Sequence, residues 1–131
     1  MATPEQPIEV LKMTPHEAKE HLRLKEPDSR LNLGVTVFNR ETGVGKIIIN
    51  SLLSLHIQQI IVEQERVQLH MFQEYFKLRP GRLIEEIMPY AHYAGLDAAF
   101  LLAQQLDVVD EFLTVRGMGE TIESIQSARR P

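Results

Sequence analysis

Three residues of metal-ligand type, His56, Glu63 and His70, recur every seven residues along a stretch that reads as helix. Imidazole and carboxylate groups on one helical face are the donors from which divalent-metal sites are built. The interval is too long for a single ion. Seven residues advance a helix by about 10 Å, whereas one ion is gripped by side chains three or four positions apart. Only His70 and Glu74 stand in that relation. The spacing predicts a polar seam along the helix, with no metal and no other cofactor.

A second chemical candidate is Gly43-Val44-Gly45-Lys46. A phosphate-cradling loop needs an earlier glycine, four residues, then Gly-Lys and a hydroxyl residue. Its backbone amides then wrap the phosphates and the hydroxyl reaches magnesium. Here Arg40 stands where the first glycine is required, and Ile47 follows the lysine. The flanks, residues 33–38 and 47–49, are rich in β-branched side chains. Two such runs joined by a short glycine-containing loop predict a β-hairpin over about 33–49. Gly43 then takes the left-handed position, Gly45 marks a bulge, and Lys46 faces water.

General acid–base chemistry has raw material in Glu85, Glu86, Asp107, Asp110 and Glu111, and in the cluster Tyr90, His92 and Tyr93. No spacing among them selects catalysis over surface charge, and no nucleophile motif is present. The absence of cysteine excludes thiolate nucleophiles, thiolate zinc sites and disulfide scaffolds. No catalytic, cofactor-binding or metal residue is therefore expected. Lys77, Arg79 and Arg82 bracket a Pro-Gly turn and offer a basic corner for nucleic-acid contact. Against that use, 14 basic and 18 acidic residues leave a formal charge of −4, and unspecific phosphate binding needs a basic surface.

The elements that must carry these residues read as mainly α. At 131 residues, the chain fits one domain. Residues 1–12, with two prolines, predict an extended N-terminal arm, and 13–131 a single helical domain with the hairpin. Thr14-Pro15-His16-Glu17 is a capping box that starts a helix running to about Lys25. From about Ser51 to Leu78 neither glycine nor proline interrupts a long central helix. Residues 82–93 predict a shorter helix kinked at Pro89 and ended by Gly95. Asp97 then caps an apolar helix that closes at Gly117, and residues 120–128 form a last short one.

The long helix is apolar over most of its circumference, which requires neighbours on most sides. In so small a chain, a second copy is a natural source of them. Leu53, Ile57, Ile60, Gln64, Val67, Met71 and Tyr75 form the stripe expected at an interface, and glutamines there bond without the desolvation penalty of a charge. The N-terminus lacks the basic and apolar regions of a signal peptide, and the most apolar window is broken by polar residues, so a soluble protein is expected. The functional expectation is a non-enzymatic structural or adaptor protein. It self-associates or joins a larger complex, such as a virion or another multi-subunit assembly, and takes no small-molecule substrate. The alternative is a small helical, oligomeric nucleic-acid-binding regulator using the corner around Lys77–Arg82.

Overall fold

The computed structural model describes residues 8–26 and 29–116. Within them run β1 (Ile8–Met13), α1 (Pro15–His21), β2 (Gly34–Phe38), β3 (Gly45–Asn50), α2 (Leu55–Leu78), α3 (Met88–Gln105) and α4 (Val109–Val115). Short 3₁₀ turns lie at Ser29–Asn32 and Ile84–Glu86. The architecture is mostly helical around one small mixed sheet of order β1-β3-β2. The strand β1 runs parallel to β3, and β2 antiparallel.

The expected hairpin is present, but as two strands of three. Consecutive Ile47, Ile48 and Ile49 are all buried because β3 is covered on both faces. Ile47 and Ile49 pack with Ile57, Ile60, Ile61 and Leu69 of α2, while Ile48 packs with Ala18, Leu31 and Val35 on the other face. An unbroken apolar run is the pattern of a strand buried on two sides, not one. The second half of the expected N-terminal arm, residues 8–12, is not an arm but the strand β1. It pairs from Ile8 opposite Gly45 to Met13 opposite Asn50. Residues 1–7 lie outside the described segments.

Capping chemistry sets the helix ends more sharply than proline does. Thr14 and Glu17 form the reciprocal capping box that starts α1, at 3.1 and 3.2 Å. The helix stops at Leu22 rather than Lys25. Arg23 turns left-handed at φ 56°, so Leu24 N–H reaches the Lys19 carbonyl and Arg23 N–H that of Glu20. That pair of bonds is a Schellman cap. The long helix begins at Leu55, capped by Ser54, instead of at Ser51. Asn50 belongs to β3, and its side-chain oxygen accepts from Leu52 N–H at 2.9 Å.

Two expectations about α3 are overturned. Pro89 opens the helix in its first turn, where its missing N–H has no partner to lose. Gly95 then lies buried inside the helix instead of ending it. A Cβ at Gly95 would sit 2.7 Å from the Gln64 carbonyl oxygen. With Ala91, Ala99 and Ala103 it makes a buried stripe recurring every four residues, which brings the α3 backbone close against α2. Asp97 is likewise interior and caps nothing. The break comes later, where Asp107 adopts φ 57° and Val108 N–H bonds the Ala103 carbonyl at 3.0 Å. The separate helix α4 follows and is capped at Arg116. Gly117 and residues 120–128 lie outside the described segments.

Gly45 is no bulge either, since its register with Phe38 and Ile8 is unbroken. A Cβ there would meet Leu69 Cδ2 at 2.2 Å. The helix α2 is therefore clasped between β3 at Gly45 and α3 at Gly95. Helix propensity alone predicts that Gly95→Ala stabilises the protein by about 0.5–1 kcal/mol. Close packing against a backbone carbonyl predicts the opposite sign, a loss of about 1–3 kcal/mol. We expect the loss, measured by urea unfolding. Arg23→Gly is expected to raise the midpoint, gaining up to about 1 kcal/mol by relieving the left-handed side chain.

Candidate functional site

The stripe expected at an interface on α2 mostly faces this chain's own core. Ile57, Ile60 and Gln64 are buried, and Leu53 packs against the main core. Val67 is half-buried. Met71 and Tyr75 pack against Phe72, Phe76 and Ala91. The neighbours that cover the apolar circumference of α2 are β2, β3 and α3, so burial of this helix does not require a second copy.

Its buried glutamines also work within the chain. Gln58 donates to the carbonyls of Ser51 and Leu53 at 3.2 and 2.8 Å, holding the turn that enters α2. Gln73 donates to the Gly43 carbonyl at 3.0 Å, and the Gln64 side-chain oxygen accepts from Arg116 Nη1 at 2.6 Å.

Among the described residues, an exposed apolar surface lies on α3. At about 100° per residue, Tyr90, Tyr93, Asp97, Phe100, Leu101 and Gln104 share one arc roughly 100° wide, and the small-residue stripe lies opposite. The four apolar members are exposed by 68, 67, 38 and 57% respectively. The helix is thus apolar on two opposite sides, with small residues turned inward and large ones outward. The outer arc runs into a groove of about 610 Å³ lined by Leu55, Val62, Leu101 and Leu102, with Lys12, Glu63 and Arg66 among its polar lining.

A second concavity, of about 400 Å³, lies between β2 and the helices, and Thr36, Phe38, Glu65, Gln68, His92 and Arg116 contribute to it. Thr36 Oγ1 donates to the Glu65 carboxylate. Burial pushes the Glu65 carboxyl above the ordinary value of 4.5, opposed by the Thr36 hydrogen bond and the charges of Arg116 and Arg30. Burial likewise lowers the pKa of Arg116, partly offset by Glu65. Arg116 Nε is buried with no acceptor among the described residues. Sequence reasoning missed Glu65, although a signal was there. It stands four residues after Ile61 and four before Leu69, a carboxylate within an apolar stripe.

The basic corner is partly structural. Lys77, Arg79 and Arg82 are all exposed at the α2–α3 connection. The Arg79 guanidinium lies 5.5 Å from the Tyr75 ring centroid, and Arg82 Nη1 is 3.7 Å from Glu86 Oε1. Arg40 joins them from the hairpin loop. It donates to the carbonyls of Pro80 and Arg82 and stacks 4.1 Å above Phe76. The residue standing where a phosphate loop needs glycine is thus a clamp between hairpin and helix. Gly43 takes φ 76°, as the hairpin reading requires, and Lys46 is half-buried, its Nζ 3.4 Å from His21 Nε2.

The other candidates are dispersed. His56 is exposed, and Glu63 pairs with Arg66 at 3.8 Å. Among the described residues, no group of three or more His, Cys, Asp or Glu side chains is placed to hold a metal ion. Glu86 accepts from the Tyr75 hydroxyl at 2.7 Å, and Glu111 accepts from Ser54 at 2.9 Å. Asp107 serves the cap after α3. No helix of the described residues is long and apolar enough to cross a membrane. The chain matches no family model, and no curated protein or solved structure is significantly similar to it.

The Glu65 environment has a pH signature. Its folded pKa is raised, so its contribution to stability is full below the ordinary value of 4.5 and is lost as pH rises through the raised value. Glu65→Gln removes that loss. The melting temperature of the variant should therefore gain on that of the wild type as pH rises from 4.5 through the raised value, read by calorimetry.

Proposed function

We propose that this protein is a non-enzymatic assembly or adaptor component that self-associates through the outer face of α3. The observation that carries this reading is the arc of Tyr90, Tyr93, Phe100 and Leu101, large apolar side chains held in water on one side of a rigid helix. Contiguous exposed apolar surface of this kind marks contact sites in soluble proteins. Aromatic residues at the centre with a charged rim are the usual anatomy of an interface. The adjoining groove extends the face toward Leu55 and supplies that rim in Lys12, Glu63 and Arg66. The surface for assembly is thereby reassigned from α2, whose stripe serves the core, to α3. A small virion or multi-subunit component fits the reading, as does a stable homo-oligomer.

The nucleic-acid reading has weaker support. Arg82 is engaged with Glu86 and Arg79 with Tyr75, and the formal charge of −4 opposes phosphate attraction. Sedimentation velocity at micromolar concentration should give a mass above 15.0 kDa for the wild type. The double variant Tyr93→Glu and Leu101→Glu should sediment as a monomer with unchanged circular dichroism. A wild-type monomer would sink self-association and leave only a hetero-complex form of the proposal.

A further inference from the structure

The groove beside the outer arc of α3 holds a hydrogen-bond acceptor that lacks a donor. Gln58 is only 6% exposed, and its Nε2 donates to the Ser51 and Leu53 carbonyls in the turn entering α2. Those two bonds orient the amide and leave Oε1 buried with no partner among the described residues. Gln58 belongs to the groove lining, together with the apolar Leu55, Val62, Leu101 and Leu102. A buried acceptor left without a donor costs more than an average hydrogen bond returns. The occupant that suits such a lining is an apolar body carrying a hydroxyl donor, the chemistry of a tyrosine ring.

The chain carries that group at the far end of α3. Tyr90 is 68% exposed in the first turn of the helix, whereas the groove is lined by the C-terminal half, at Ala98, Leu101, Leu102 and Gln105. About 16 Å of helix separates Tyr90 from Leu101, so Tyr90 does not reach the groove of its own chain. We infer that each groove is filled by Tyr90 of a second copy, brought there when two α3 helices pack antiparallel, with the Tyr90 hydroxyl donating to Gln58 Oε1. This inference rests on the self-association proposed above and specifies its geometry. A closed pair of identical chains is two-fold symmetric. The step from Tyr90 to Leu101 turns the helix by three turns and about 20°, so both residues stand on the same side of the arc. The antiparallel axis then sets each Tyr90 beside the partner's Leu101, at the mouth of the groove, twice per pair. Charge agrees with this direction. Glu85 is exposed just ahead of Tyr90 and arrives with it, while Lys12 is in the groove lining. Parallel packing would instead place Tyr90 against Tyr90 and leave both grooves unfilled.

The chain contains no cysteine, so introduced thiols report the geometry of the pair. Full-length chains carrying Tyr90→Cys and Gln105→Cys, mixed in equal amounts and treated with a short bismaleimide, should yield the mixed covalent dimer. Tyr90→Cys alone should yield none. Tyr90→Phe keeps the ring and removes the hydroxyl. It should weaken the dissociation constant about thirtyfold in sedimentation equilibrium, because two hydrogen bonds are lost per pair. Tyr93→Phe should leave that constant unchanged. Absence of the mixed product, self-linking of Tyr90→Cys, or an unaltered constant for Tyr90→Phe overturns the inference and leaves self-association standing. A wild-type monomer at micromolar concentration defeats self-association and this inference together.

Discussion

Everything in this fold depends on α2 being covered on two opposite sides by its own chain. A helix of 24 residues, about 36 Å long, cannot be buried by a sheet alone. One side rests on β2 and β3, and the other on α3. Both contacts are set by the lack of a side chain. Gly45 lets Leu69 settle onto the sheet, and Gly95 lets the Gln64 carbonyl approach the α3 backbone. Close packing of this kind admits little substitution, because interiors are filled to the density of organic crystals.

That constraint explains why several polar side chains on α2 are buried and still bonded to other segments, although Gln58 Oε1 has no partner among the described residues. Gln58, Gln64 and Gln73 face inward, and each ties a different segment to the helix: the entering turn, Arg116 at the end of α4, and the hairpin loop. Neutral amides do this without the penalty of burying an ion. Arg40 adds a clamp from outside by bonding the carbonyls of the α2–α3 connection. The helix is thus both the core and the post to which the irregular segments are fastened. Among the described residues, this arrangement leaves the large side chains on the outer arc of α3 exposed.

Local chemistry was legible where a few neighbouring residues decide it. The capping box at Thr14, the left-handed Gly43 and the end of α2 near Leu78 all follow from short-range rules, and all are present. The hairpin was legible for the same reason. The third strand was not, because Ile8–Met13 pairs with residues 37 positions further along, and no local pattern reports such pairing. Three consecutive isoleucines carry part of that signal, because they describe a strand covered on both faces. Glu65 was readable in the same way, as a carboxylate on an apolar stripe, although its partners Thr36 and Arg116 are brought to it only by folding.

By itself, the sequence determined a mostly helical chain with a hairpin, a long uninterrupted helix and the chemistry of several caps, because these rest on backbone propensities within one or two turns. It also determined that α2 needed covering on most sides. Only the tertiary structure decided what covers it. Glycine is ambiguous as a local signal: the residue that ends a helix in isolation is also the one that lets two helices touch. Local rules make Gly95 a terminus and Pro89 a kink, whereas in the fold Gly95 is a contact and Pro89 a start. Once α3 lies against α2 through its small residues, its large residues are turned to water. Tyr90, Tyr93, Phe100 and Leu101 are thereby left exposed on the outer side of α3.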